Sequence, residues 1–154
     1  MNFVFLYTRF ADYFYKSLQS LLNTNSGIIA HVVRYKQDKN APFIFKETNN
    51  LKLYSYDDFE SKERLLLFVK RLNPTLIYSA GWSNKYYRFI SSNFYAKCPT
   101  IIGLDNPWKA SIKQLFGVVF FRIFMKSTYS HIWVAGKPQY EFARHLGFKH
   151  KTIL

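Results

Sequence analysis

The chain has 154 residues, 49% hydrophobic and 20% aromatic, with 22 lysines and arginines against 9 acids for a formal net charge of +13. That length is enough for one domain with a real core, and six glycines and five prolines exclude a disordered or low-complexity chain. A single cysteine, Cys98, excludes an internal disulfide framework and a Cys-rich zinc site.

In chain order, Asn2–Tyr7 (NFVFLY) reads as a buried strand, and Ala11–Asn23 has helical spacing. The first residues show no basic start and no small-residue cleavage site, so no signal peptide is expected. Ile28–Val33 (IIAHVV) is a second strand, followed by a polar loop over residues 35–42 and a short strand at Leu51–Tyr54. Asp57 with Glu60 has the pattern of a capping box, opening a helix through Leu72 with Leu65, Leu66, Val69 and Leu72 on one face. Pro74 ends that helix, and Thr75–Ser79 forms the next strand. Ser83 is placed to cap a helix over residues 84–96, closed before Pro99, and Thr100–Leu104 (TIIGL) is a strand. Ala110–Lys126 is ambiguous: it is long enough for a helix, yet VVFF reads equally as strand and Gly117 interrupts it. Ser130–Ala135 is a strand, Pro138 and Gly147 bracket a helix, and Thr152–Leu154 opens one more strand. This alternation predicts one α/β domain over 1–154, a Rossmann-like, open, mostly parallel sheet with helices on both faces.

The charge is uneven. Residues 1–64 hold 9 cations and 7 acids, whereas residues 65–154 hold 13 cations and only Asp105 and Glu141 as acids. A positive field of this kind suits anionic partners, although plain solubility of an acid-poor chain accounts for it too.

Open α/β sheets bind ligands beyond the carboxyl ends of their strands. The loops there are Thr8-Arg9-Phe10, Gly81-Trp82-Ser83, Asp105-Asn106-Pro107-Trp108 and Gly136-Lys137. Gly81 allows close approach, Trp82 and Trp108 offer flat apolar faces for sugar rings, and Asp105 can accept hydrogen bonds from hydroxyls. Arg9 and Lys137 can pair with phosphate, and Asn106 completes the set. The competing reading makes the tryptophans structural and the loops ordinary turns. His31 falls within a strand and reads as structural, and His131, His145 and His150 show no metal-ligand spacing with Cys98 or a carboxylate cluster. No dinucleotide-binding, P-loop or nucleophile-elbow motif is present.

Three segments, NPTLIYSAGWSNKYYRF, CPTIIGLDNPWKASIKQ and HIWVAGKPQYEFARHLGF, resemble in order and spacing the N-terminal half of family 4 glycosyltransferases of the GT-B type. The likeness covers residues 74–154 by motif and residues 1–73 by fold pattern only. It implies a retaining hexosyl transfer from a nucleotide-sugar to a glycan or lipid-linked acceptor, in polysaccharide or cell-envelope synthesis. It implies Asp105 at the reaction centre and Gly81 and Trp82 on the acceptor side. It implies the nucleotide-sugar as co-substrate, no metal or other cofactor, and a separate C-terminal donor-binding domain whose E-x7-E motif this sequence lacks. The glycine pair that many members carry after the first strand is replaced by Thr8-Arg9-Phe10. One such half has little or no transferase activity alone, since catalysis needs both domains closed around the substrates.

The expected setting is cytoplasmic, with peripheral binding at the inner membrane face as a further expectation. Lys109, Lys113, Arg122 and Lys126 surround LFGVVFFRIFM, as in an interfacial segment held by anionic lipid. At about 100° per residue the first two lysines point nearly opposite to the other two cations, which speaks against one amphipathic helix and leaves a buried helix with charged ends as the competitor. The uninterrupted apolar run Leu115–Phe121 is too short for the roughly 20 residues of a membrane span. The rival classes are a nucleic-acid binder, suggested by Lys85-Tyr86-Tyr87-Arg88-Phe89, and a noncatalytic α/β interaction module.

Overall fold

A computed structural model of the chain describes residues 1–36 and 43–154. The polar loop expected over 35–42 lies, from residue 37, outside the described residues. The elements are β1 (Asn2–Tyr7), α1 (Asp12–Thr24), β2 (Ile29–Arg34), β3 (Leu51–Ser55), a 3-10 turn (Tyr56–Asp58), α2 (Lys62–Leu72) and β4 (Leu76–Ser79). They continue with α3 (Lys85–Phe94), β5 (Thr100–Leu104), α4 (Ile112–Phe124), β6 (His131–Val134), α5 (Lys137–Leu146) and a second 3-10 turn (His150–Thr152). The strands form a six-stranded parallel sheet in the order β3-β2-β1-β4-β5-β6, with helices around it. This is the Rossmann-like α/β class expected from the sequence. The chain divides into two compact units, Met1–Tyr78 and Ser79–Leu154.

In the first unit, β2 pairs in parallel with β1 and with β3. Val4 to Tyr7 and Ala30 to Val33 are buried without alternation, as befits strands covered on both faces. The helix α1 buries Phe14, Tyr15, Leu18 and Leu22, one stripe of a 3.6-residue period. Much of this core is aromatic: Tyr7, Phe14 and Tyr78 lie with ring centres 4.6–5.7 Å apart. After β2 the described chain at 43–47 has no helix. There Phe45 packs on Phe10 and Tyr15, and the Tyr15 hydroxyl donates to the Lys46 carbonyl at 3.1 Å.

The capping pattern read at Asp57 and Glu60 does not open α2. Ser55 and Asp58 cap the 3-10 turn instead, Phe59 is extended, and Ser61 caps α2 by accepting from the Arg64 N–H at 3.2 Å. Leu65, Leu66 and Val69 are buried as expected, and Asn73 ends the helix in a left-handed conformation that clears the way for Pro74.

In the second unit, β5 and β6 pair in parallel from Ile101 with His131 to Leu104 with Val134. Its core gathers Ile102, Ile132, Phe121, Phe142, Leu146 and Phe148. Asn84, not Ser83, caps α3: its side-chain oxygen accepts from the N–H groups of Tyr86 at 2.7 Å and Tyr87 at 3.0 Å. The ambiguous segment is a helix, α4, which tolerates Gly117 in its interior at a cost of about 1 kcal/mol. Gly147, at φ 101°, closes α5 in the left-handed region that glycine alone enters freely. The strand expected over 152–154 does not form: the second 3-10 turn takes up Thr152, and Ile153 makes only an isolated bridge to Ile132, with the Leu154 N–H donating to the Ile132 carbonyl at 2.8 Å.

Candidate functional site

The loop after β5 is fixed by backbone chemistry. Pro107 cannot continue a ladder, Ala110 reverses the chain at φ 50°, and Ser111 caps α4 by accepting from the Gln114 N–H at 3.3 Å. Two glutamines clamp the turn. Gln114 accepts from the Lys109 N–H at 2.8 Å and donates to the Pro107 carbonyl at 2.7 Å. Gln139, in the first turn of α5, donates to the Asp105 carbonyl at 2.9 Å, and the Trp108 N–H donates to the Pro138 carbonyl at 3.1 Å. The start of α5 is thereby tied to this loop.

The result is a rigid loop whose polar side chains face water. Asp105 and Asn106 are exposed, as is Lys137 at the start of α5, and none of the three side chains has a partner among the described residues. Asp105 is also the only acid between Glu63 and Glu141. It is therefore the one fixed negative charge of a long basic stretch, free to accept hydrogen bonds.

The tryptophans divide their surfaces. Trp82 is half-buried, edge-on to Phe121 at 5.2 Å and to Phe142 at 6.3 Å. Trp108 lies 5.2 Å from Phe142 and stacks on the His145 imidazole at 4.1 Å with an angle of 22°. Phe142 thus joins two predicted site residues, and His145 covers one face of Trp108, so only part of each ring remains for a ligand. Gly81 adopts φ 86°, its N–H donates to the Ser79 carbonyl at 2.9 Å, and nothing lies within 4 Å of where a side chain would start. The open space expected at Gly81 is there, and its conformation gives a structural need for glycine as well.

Of the seven residues singled out in the sequence, Gly81, Trp82, Asp105, Asn106, Trp108 and Lys137 belong to the second unit, and Arg9, exposed after β1, to the first. The run Lys85-Tyr86-Tyr87-Arg88-Phe89 is not an open stacking groove, because Tyr87 is in the core and Arg88 donates to the backbone carbonyls of Trp82 and Ser83. Among the described residues no three His, Cys, Asp or Glu side chains gather as metal ligands. The half-buried Cys98 thiol is pushed up by burial, the opposite of an activated nucleophile. Burial also pushes the Tyr129 hydroxyl up to about 12, so the phenol stays protonated beside Ser79 and Ser91.

No protein-family profile, curated protein or solved structure matches the chain.

Two features escaped the sequence reading. In the first unit, Arg34, Lys36, Tyr54 and Ser55 line a cleft of about 170 Å³ at the carboxyl ends of β2 and β3. There the Arg34 guanidinium lies 5.3 Å from the Phe45 ring centre, with its buried Nε lacking a hydrogen bond. In the second unit, Arg122, Lys126 and Lys149 rim a cleft of about 550 Å³ floored by Phe121, Tyr129 and Phe148. Ser130, which precedes β6, lines it, so it opens at the amino end of that strand, away from the Asp105 loop.

Proposed function

We propose that the chain is the acceptor-side domain of a retaining glycosyltransferase resembling family 4, which moves a hexosyl group from a nucleotide-sugar to a glycan or lipid-linked acceptor in polysaccharide or cell-envelope synthesis. The observation that carries this reading is the loop after β5, clamped by Gln114 and Gln139 while Asp105 and Asn106 stay exposed and unpartnered. A rigid carboxylate beside an aromatic ring at the carboxyl end of a strand suits hydroxyl-rich ligands.

In this reading Asp105 accepts a hydrogen bond from a sugar hydroxyl at the reaction centre, with Asn106 alongside it. The open faces of Trp82 and Trp108 hold the ring of the acceptor, Gly81 leaves room for it, and Lys137 offsets phosphate charge. A second, donor-binding domain holds the nucleotide. Rate enhancement then comes from orienting two substrates and stabilising the departing phosphate, with no protein nucleophile and no metal. A cytoplasmic setting goes with this reading, and the lone Cys98 fits a reducing compartment.

The noncatalytic interaction module is favoured by one observation, the packing of both tryptophan rings on Phe121, Phe142 and His145. Titrating the purified chain with nucleotide-sugars and with acceptor glycans, followed by NMR, separates the two. The enzyme reading expects glycan-dependent shifts at Asp105, Asn106 and the Trp108 indole, and no turnover by the chain alone. Asp105→Asn should weaken glycan binding by roughly ten- to a hundredfold, as for a charge-assisted hydrogen bond of about 1.5–3 kcal/mol. Full turnover by the chain alone would overturn the division of labour between two domains, and no binding across either panel would favour the interaction module.

A further inference from the structure

The helix α4 inverts the usual arrangement of a surface helix. Of its 13 residues Phe121 is buried, whereas Ile112, Leu115, Phe116, Val119, Phe120, Ile123 and Phe124 are each 43% to 73% exposed. Their spacing of three, four, seven and eight is that of one continuous stripe, pointing away from the core. Soluble monomers rarely expose contiguous apolar patches above a few hundred Å², and three phenylalanines of roughly 150–250 Å² each with four aliphatic neighbours exceed that.

The charges complete the picture. On a helix of about 100° per residue, Arg122 lies at one margin of the stripe and Lys113 near the other, between Phe120 and Phe124, with Lys109 just before the helix and Lys126 just after it. Lys113 and Arg122, half a turn apart around the axis, thus stand on opposite sides of one broad apolar face, which is how cations pointing in opposed directions fit one helix. All four cations are exposed, and none has a carboxylate partner among the described residues. From residue 106 to residue 140 there is no acid at all.

We propose that α4 docks this protein on an anionic lipid surface, lying in the interface with its apolar stripe at the acyl boundary and its cations among the headgroups. A helix of 13 residues is about 20 Å long, and no helix of the described residues is long and apolar enough to cross a membrane, so α4 lies on the bilayer. Charge decides the occupant. A second copy would bring the same cations face to face, and a protein partner would need an acidic rim on both sides of an apolar groove. An anionic leaflet supplies negative charge on every side of an apolar interior. The inference does not depend on sugar transfer.

The test is co-sedimentation of the 154-residue chain with phosphatidylcholine vesicles and with vesicles in which part of that lipid is replaced by phosphatidylglycerol. The wild type should favour the phosphatidylglycerol vesicles by roughly a hundredfold, an advantage that shrinks as salt is raised. Phe116→Ser with Ile123→Ser, at sites 73% and 64% exposed, should keep the helical circular dichroism and lower the partition roughly a hundredfold. Lys113→Glu with Lys126→Glu should abolish the preference for phosphatidylglycerol. Equal pelleting with both vesicles, or unchanged binding by the serine pair, would overturn the proposal. So would a lipid-free dimer of the wild type that the serine pair dissociates, which would make a second copy the occupant.

Discussion

Met1–Tyr78 carries 11 cations and 7 acids, and each of its helices turns an apolar stripe inward, with Leu18 and Leu22 of α1 and Leu65 and Val69 of α2 all buried. Ser79–Leu154 carries 11 cations and 2 acids, and its longest helix turns seven large apolar residues outward. The aromatic richness of the chain therefore has two meanings. In the first unit much of it gathers in the core, in a cluster around Phe14 and Tyr78; in the second one helix presents Phe116, Phe120 and Phe124 together at the surface. Hydrophobic periodicity identifies which residues share a face, and the direction of that face is settled by what the rest of the fold offers to cover it.

The strongest way to break this comparison is within one helix. Phe121→Ala should cost about 3–5 kcal/mol in urea unfolding, because it opens a cavity against Trp82, Tyr129 and Phe148. Phe116→Ala, five residues earlier and 73% exposed, should stay within about 0.5 kcal/mol of wild type. Similar costs at the two positions would mean that α4 is not turned as described.

The same contrast explains what could be read in advance. Asn2–Tyr7 and Thr100–Leu104 are found to the residue because runs of apolar residues with few alternatives leave little choice but a buried strand. The start of α2 is misplaced because a carboxylate three residues from another fits a 3-10 turn as well as a helix, and Ser61 lies one turn further on. For α4 the sequence holds the stripe and the charges, but whether Phe121 or Phe116 faces the core depends on β5, β6 and α5. The loop of Asp105 is visible as a strand end. Its clamps are not, since Gln139 reaches across 34 residues and nothing local marks Gln114 as a bridge. The packing of Trp108 on His145, and the cleft at Arg34, are likewise products of tertiary contact.

Helix caps sharpen the comparison at smaller scale. Asn84 is buried and its oxygen accepts from two backbone N–H groups, whereas Ser61 accepts from one at the surface. Asn84→Ala should cost about 1–2 kcal/mol and Ser61→Ala about 0.5–1 kcal/mol, with Ser83→Ala, the cap expected from sequence, near zero. Thermal unfolding of the three variants ranks them, and a larger loss at Ser83 would return the cap to that residue.

The smallest effect belongs to the first unit and to pH. His31 on β2 is buried, with Nδ1 3.2 Å from the Tyr54 hydroxyl and Nε2 3.3 Å from the Asn2 side-chain oxygen. Because that oxygen can only accept, the pairing suits a neutral ring that donates from Nε2 and accepts at Nδ1. Burial, and secondarily the charge of Lys52, hold its pKa below the ordinary 6.5. Between the lowered value and 6.5 the unfolded chain binds more protons than the folded one, so stability rises with pH across that window. The contribution of a neutral His31 is complete above pH 6.5 and is lost as pH falls through the folded value. The stability difference between wild type and His31→Gln, measured by urea unfolding from neutral pH downward, should therefore shrink on acidification. A difference that stays flat would mean that the folded chain lets water reach the imidazole, and the first unit would then be less closed over β2 than the second unit is over β5.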